Sequence, residues 1–207
     1  MQRFILPMLQ VSHIGAAMKI ETVTLRGGAG KKATVDLVIM ALFASLGLAT
    51  KNIIHPLVAT LAGPLYIPTG ALAGGVYMMW PVMAYGFVRK IGAATVTSLT
   101  QAFISLLLPF GNFGLLSFVI YLAPGLAIDG FFLLSRHKAC CAACCVGAAA
   151  IANAVGTVLV GALVLALPEF ALLFLALVAA ISGSVGGVIA NMLLVRTRKI
   201  GLRNKEG

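Results

Sequence analysis

Four cysteines within six residues, Cys140, Cys141, Cys144 and Cys145, are the most conspicuous reactive groups in this sequence. Thiolates at such spacing suggest a metal site, but four ligands on two turns of one helix cannot surround an ion tetrahedrally without distortion. At most two would ligate, Cys140 and Cys144 one turn apart. The alternative is four small, polarizable residues filling an alanine-rich helix. The cluster falls at a cytoplasmic helix end, a reducing setting where disulfides are not expected. Asp129 is the other reactive candidate. It lies off-centre in its apolar run and close to Arg136, so a salt bridge with the basic residues there is set against a functional acid. The sequence contains no Gly-x-x-x-x-Gly-Lys-Ser/Thr, no His-Glu-x-x-His and no Gly-x-Ser-x-Gly, and no pair of acids is placed for acid–base work. The chain therefore reads as neither an enzyme nor a self-powered pump. No cofactor or metal is expected.

The remaining polar residues are mostly uncharged hydrogen-bonding groups. Thr97, Gln101 and Ser105 recur every fourth residue and share one helix face. The hydroxyls can bond back to their own helix, whereas Gln101 needs a partner elsewhere. Asn153 sits near the middle of another apolar run, with Thr157 one turn on. With Tyr77, Trp80, Asn112 and Tyr121 these residues would collect in one half of a helical bundle, roofed by Tyr66. Glu169 is the only carboxylate near that mouth. Neutral donors and acceptors among aromatic rings suit a flat, uncharged or weakly charged heterocycle. The expected binding residues are thus Tyr66, Tyr77, Trp80, Gln101, Ser105 and Asn112, with Tyr121, Asn153 and Glu169.

The elements that must position them are membrane helices. The chain is 61% hydrophobic and 10% charged, with a mean hydropathy of +1.07, too little polar surface for a water-soluble globule. Its net charge of +10 is spread over the ends of apolar runs, where snorkelling to headgroups explains it, and nucleic acid is not an expected partner. Ile67 to Val88 is uncharged and ends at Arg89-Lys90, a run long enough to cross the hydrocarbon core. Five similar runs fall at about Thr34–Ala49, Ile91–Leu108, Leu115–Leu134, Cys140–Leu167 and Phe170–Val195. Thr34 is the expected N-cap of the first, with Asp36 in its first turn, and Gly183 and Gly187 form an expected packing seam on the last. Between the first two spans, Lys51 to Pro68 reads as a long, structured outer loop with a short helix at Leu57 to Ala62. The expected fold is an all-α integral membrane protein, a six-transmembrane-helix bundle. It divides into a basic leader (1–32), a membrane domain (33–196) and a basic tail (197–207). All but Lys51 of the fifteen Lys and Arg fall on one side, which places both termini in the cytoplasm.

Ala41, Ser45 and Ala49 leave one face of the first helix almost bare. Close packing within the chain and docking of another membrane helix are both open for it. Six spans, the long first outer loop and this small-xxx-small face resemble the S component, the substrate-binding subunit, of an energy-coupling-factor (ECF) vitamin transporter. Asp36-Leu37-Val38-Ile39-Met40, Gly63-Pro64 with Tyr66, Arg89-Lys90 with Gly92-Ala93-Ala94, and Gly125-Leu126 with Asp129 and Arg136 are similar to the YkoE type, linked to thiamine or its hydroxymethylpyrimidine precursor. The resemblance implies uptake of a small vitamin or precursor through the plasma membrane of a prokaryote. It implies as partners a membrane coupling subunit, which would meet Ala41, Ser45 and Ala49, and two ABC ATPases. Two departures stand out. Ser45 replaces an alanine of the family form. Ser98 and Ser105 stand where thiamine binders of this kind place a glutamate, which leaves a neutral pyrimidine or another vitamin or a tetrapyrrole open. Nickel and cobalt relatives use an N-terminal Met-His, whereas this chain begins Met1-Gln2-Arg3. A membrane scaffold with a merely packed interior is the rival from a different class.

Overall fold

The computed structural model describes residues 6–62, 68–108, 114–135 and 141–203, with side-chain surroundings over 32–60, 68–108, 114–135 and 141–198. The described residues form six helices and no strand: α1 (Leu6–Ala62), α2 (Thr69–Val88), α3 (Ala93–Leu107), α4 (Leu116–Ser135), α5 (Ala142–Leu163) and α6 (Glu169–Arg203). The chain divides into two units, Met1–Val38 and Ile39–Gly207. The first is the early part of α1, in which Thr34 and Asp36 lie within the helix rather than at its start. Gly27, Gly28 and Gly30 do not interrupt it, because a helical glycine costs only about 1 kcal/mol relative to alanine.

In the second unit α1 also continues past the expected boundary at Ala49. The segment expected as an outer loop is helical from Lys51 to Ala62, with Pro56 inside the helix. Proline removes one backbone hydrogen bond and crowds the carbonyl four residues back, but membrane helices tolerate this where neighbours satisfy the freed groups. Residues 63–67 of that segment, Tyr66 among them, lie outside the described residues.

Among the described residues, five helical segments are long and apolar enough to cross a membrane: Lys32–Thr60, Thr69–Val88, Leu116–Ser135, Ala142–Leu163 and Glu169–Arg198. The sixth helix, α3, is apolar but has 15 residues. At 1.5 Å per residue it extends about 22 Å, short of the hydrocarbon thickness. It is also the most polar, and buries Thr97, Ser98, Gln101 and Ser105. Bulky apolar side chains such as Phe170, Leu173, Phe174 and Ile181 stay exposed on α6, as lipid-facing residues do.

Small residues let the helices meet. A Cβ on Gly183 would lie 2.6 Å from the Ala149 carbonyl oxygen, and one on Gly187 would lie 2.5 Å from Val146 Cα, so the seam at these two glycines runs against α5. Larger groups fill the space between α2, α4 and α5. Tyr85 stacks on Phe132 with ring centroids 4.1 Å apart, among Val82, Ile128, Cys145 and Ala149.

Asp129 of α4 has a partner in α3; the basic cluster expected to pair with it, Arg136 to Lys138, lies outside the described residues. The Thr95 backbone N–H donates to Asp129 Oδ2 at 2.8 Å, and the Thr95 hydroxyl donates to the same oxygen at 2.5 Å. Thr95 is the third residue of α3, so Asp129 closes an otherwise unsatisfied first turn and meets the positive end of the helix dipole. Asp129→Ala is therefore expected to lower stability by about 1–2 kcal/mol, read as a drop in thermal unfolding temperature in detergent. Unchanged unfolding would remove this role.

Candidate ligand-binding cavity

Helical continuity of α1 beyond Ala49 has a direct effect on the interior. Gly47, Lys51 and His55 are spaced by four, so one helix face carries all three, and all three line a cavity of about 320 Å³. α2 contributes Thr69, Gly74 and Tyr77; α3 contributes Ser98 and Gln101; α4 contributes Tyr121 and Pro124; α5 contributes Asn153 and Thr157. The cavity is thus bounded by the C-terminal part of α1, the start of α2, the first half of α4 and the second half of α5. The Arg89-Lys90 and Arg196-Arg198 ends of α2 and α6 do not border it.

Four expected binding residues share this wall: Tyr77, Gln101, Tyr121 and Asn153. Their polar atoms differ in availability. The Asn153 amide nitrogen donates to the Ala179 carbonyl at 2.8 Å and to the Ala71 carbonyl at 3.4 Å, tying α5 to α6 and α2. Gly74 admits this amide, since a Cβ there would collide with Asn153 Oδ1. Gln101 reaches α1 beside Gly47, which likewise has no room for a Cβ, and no hydrogen bond engages its amide among the described residues. The Tyr77 hydroxyl is enclosed and has no hydrogen-bond partner. Enclosed polar groups are nearly always paired, so Tyr77 offers a bound molecule its hydroxyl, and the Gln101 amide stands on the same wall.

Three others are placed elsewhere. Trp80 turns to α1, where its indole N–H donates to Thr50 Oγ1 at 3.0 Å and its ring stands 6.1 Å from Phe43. Ser105 is buried one turn beyond Gln101, off the cavity wall. Glu169 is exposed in the first turn of α6, where a helix dipole favours a carboxylate. Tyr66 and Asn112 lie outside the described residues.

Lys51 is not among the expected binding residues; His55 is a polar handle of the expected outer loop, where a ligand contact is weighed against a structural role beside Pro56 and the structural role is favoured. Lys51 Nζ donates to the Tyr121 hydroxyl at 2.6 Å and lies 4.8 Å from that ring's centroid. His55 Nε2 is 2.9 Å from Thr69 Oγ1, a hydrogen bond between α1 and α2. The signal was present in the four-residue spacing, but a proline and an apolar, histidine-containing segment read as a loop concealed it.

The described cysteines, Cys141, Cys144 and Cys145, do not line the cavity. Cys140 lies outside the described residues, Cys141 is exposed at the N-cap of α5, and Cys144 and Cys145 are buried. Cys141 Sγ and Cys144 Sγ are 2.9 Å apart. Among the described residues no three His, Cys, Asp or Glu side chains are grouped so as to hold a metal ion. Ala41, Ser45 and Ala49 are all exposed, and Ser45 Oγ donates to the Ala41 carbonyl at 3.0 Å. The adjacent face of the same helix, one residue back at each turn, is buried through Met40, Ala44 and Leu48.

Two comparisons find likenesses. A family model described as ABC-type cobalt transport system, permease component, matches residues 35–155, more than half of the chain. Among solved structures, the crystal structure of an S-component of an ECF transporter is similar at a TM-score of 0.66 and 24% identity, over 84% of this chain and 88% of that one. That likeness shows a shared fold. No curated protein matches the chain.

Proposed function

The chain belongs to the family of ABC-type cobalt transport system permease components, and we propose that it is the ligand-binding membrane subunit of an ABC importer that captures a small heterocycle. It is a multi-pass membrane protein. One observation carries the reading: an apolar cavity whose wall presents the Gln101 amide and a Tyr77 hydroxyl with no hydrogen-bond partner among the described residues. At about 320 Å³ it lies at the small end of ligand pockets. A molecule of one or two rings, in the size class of hydroxymethylpyrimidine, suits it better than a tetrapyrrole.

The family description names cobalt, and the cavity's donors are poorly suited to that cargo. Cobalt takes nitrogen, oxygen and sulfur ligands, yet the wall offers one imidazole, already bonded to Thr69, and an ammonium that repels cations. Among the described residues no carboxylate or thiol lines it. Intact thiamine meets the same objection, because its ring is cationic.

The distribution of basic residues supports cytoplasmic termini and a cavity in the outer half of a prokaryotic plasma membrane. The exposed Ala41, Ser45 and Ala49 stripe is the proposed seat of a membrane coupling subunit, with two ATPases supplying the energy. The protein itself carries out no catalysis. Binding of vitamins and heterocycles to the isolated protein tests the proposal, with Trp80, hydrogen-bonded to the residue before Lys51, as the fluorescent reporter. Gln101→Leu and Tyr77→Phe are each expected to weaken the best binder by about 2- to 12-fold, as for loss of one neutral hydrogen bond. Co-purification with a complex lacking ATPases, and no response to any compound, would favour a scaffold.

A further inference from the structure

Among the described residues, Lys51 is the one lysine or arginine on the cavity wall, and no aspartate or glutamate lines it. The chain has only five acidic residues. Asp129 is engaged by Thr95, Glu169 is exposed on α6, and neither borders the cavity. Yet the ammonium is not loosely held. Its hydrogen bond to the Tyr121 hydroxyl and its position near that ring fix it against α4. An ammonium has three donors, and the tyrosine accepts one. Two N–H groups remain on this half-buried ammonium at the wall of an apolar cavity, placed to receive an anionic partner.

We propose that the ligand carries an anionic group, a carboxylate or a comparable oxyanion, and that the Lys51 ammonium receives it. Resting on the ligand-binding reading above, this adds the charge of the substrate. Tyr121 acts as a positioning residue that holds the ammonium in place through its hydroxyl and ring. Gln101 and Tyr77, on α3 and α2, serve the neutral ring edge. The substrate class is thus a compact heterocyclic acid, opposite in charge to thiamine and to a metal cation.

The test uses the full-length protein in phosphatidylcholine nanodiscs. The probes are one- and two-ring heterocycles in matched carboxylate and carboxamide forms, together with phosphatidylglycerol as an anionic lipid. Retention is read by native mass spectrometry and affinity by titration. The carboxylates are expected to bind at least about tenfold more tightly than their carboxamides, as for one charge-assisted hydrogen bond. That preference should fall to near unity in Lys51→Met and persist in Lys51→Arg, which retains the charge. Carboxamides bound as tightly as carboxylates overturn the proposal while leaving the ligand-binding reading intact, and so does a carboxylate preference that survives Lys51→Met. The wild-type comparison of matched pairs decides the first point even if Lys51→Met does not fold. Phosphatidylglycerol retained one per chain, displacing carboxylates and released in Lys51→Met, would assign the anion to lipid and overturn a soluble acid. Retention of no probe would overturn the ligand-binding reading and this proposal together.

Discussion

Gly186→Val is expected to yield little folded protein in mild detergent. The site lies where α6 crosses α2, and a Cβ on Gly186 would overlap the Gly75 carbonyl oxygen. The nearest neighbours are all backbone atoms of Gly75, so no side chain can swing aside to make room. From the other direction, a Cβ on Gly75 would overlap the Ser182 carbonyl. Ser182 locks the crossing: its hydroxyl donates to the Leu72 carbonyl and accepts the Gly75 N–H at 3.3 Å. Helices in lipid associate largely through close packing of this kind. Overpacking a core costs about 1–3 kcal/mol where side chains can adjust, and a backbone-to-backbone clash should exceed it. Gly70→Ala is the control, since nothing lies within 4 Å of a Cβ there. Size-exclusion profiles and thermal unfolding compare the two variants, and wild-type behaviour of Gly186→Val would contradict the crossing.

Thr157→Phe should do the opposite, sparing the fold and abolishing binding. Thr157 is 7% exposed and lines the cavity from α5. Because Thr157 lines the cavity, a phenyl ring there is expected to project into it and narrow the space of about 320 Å³ open to a ligand. We expect at least a hundredfold weaker binding, about 2.7 kcal/mol, with unfolding temperature unchanged or raised. The measurement is a titration of wild type and variant with the same compound, beside their melting curves. Equal affinity would place the binding site elsewhere.

The spans were legible in the sequence because hydropathy and charge at the ends of apolar runs report directly on the bilayer. Gly183 and Gly187 were legible as a seam because close packing in lipid requires small residues. Half of the site was visible for a related reason. Gln101 and Asn153 are amides in apolar helices, and such groups must find partners; Asn153 finds backbone carbonyls of α2 and α6, while Gln101 faces the cavity. Lys51 and His55 were hidden by Pro56, which marks a helix break in water but not necessarily in a membrane bundle. Trp80 was placed on the wall as an aromatic among aromatics, and its pairing with Thr50 depends on the same continuation of α1. Asp129 was matched to the nearest basic residues in sequence. Those basic residues lie outside the described residues; the partner seen is the first turn of α3, a neighbour that appears only once α3 and α4 lie side by side.

Native mass spectrometry of the protein gently extracted from its own membranes tests the central claim, that the cavity holds a small organic molecule. The account predicts one copy of a small adduct per wild-type chain, released on activation and absent from Thr157→Phe. Wild type and variant both bare, or both carrying the same adduct, would contradict it.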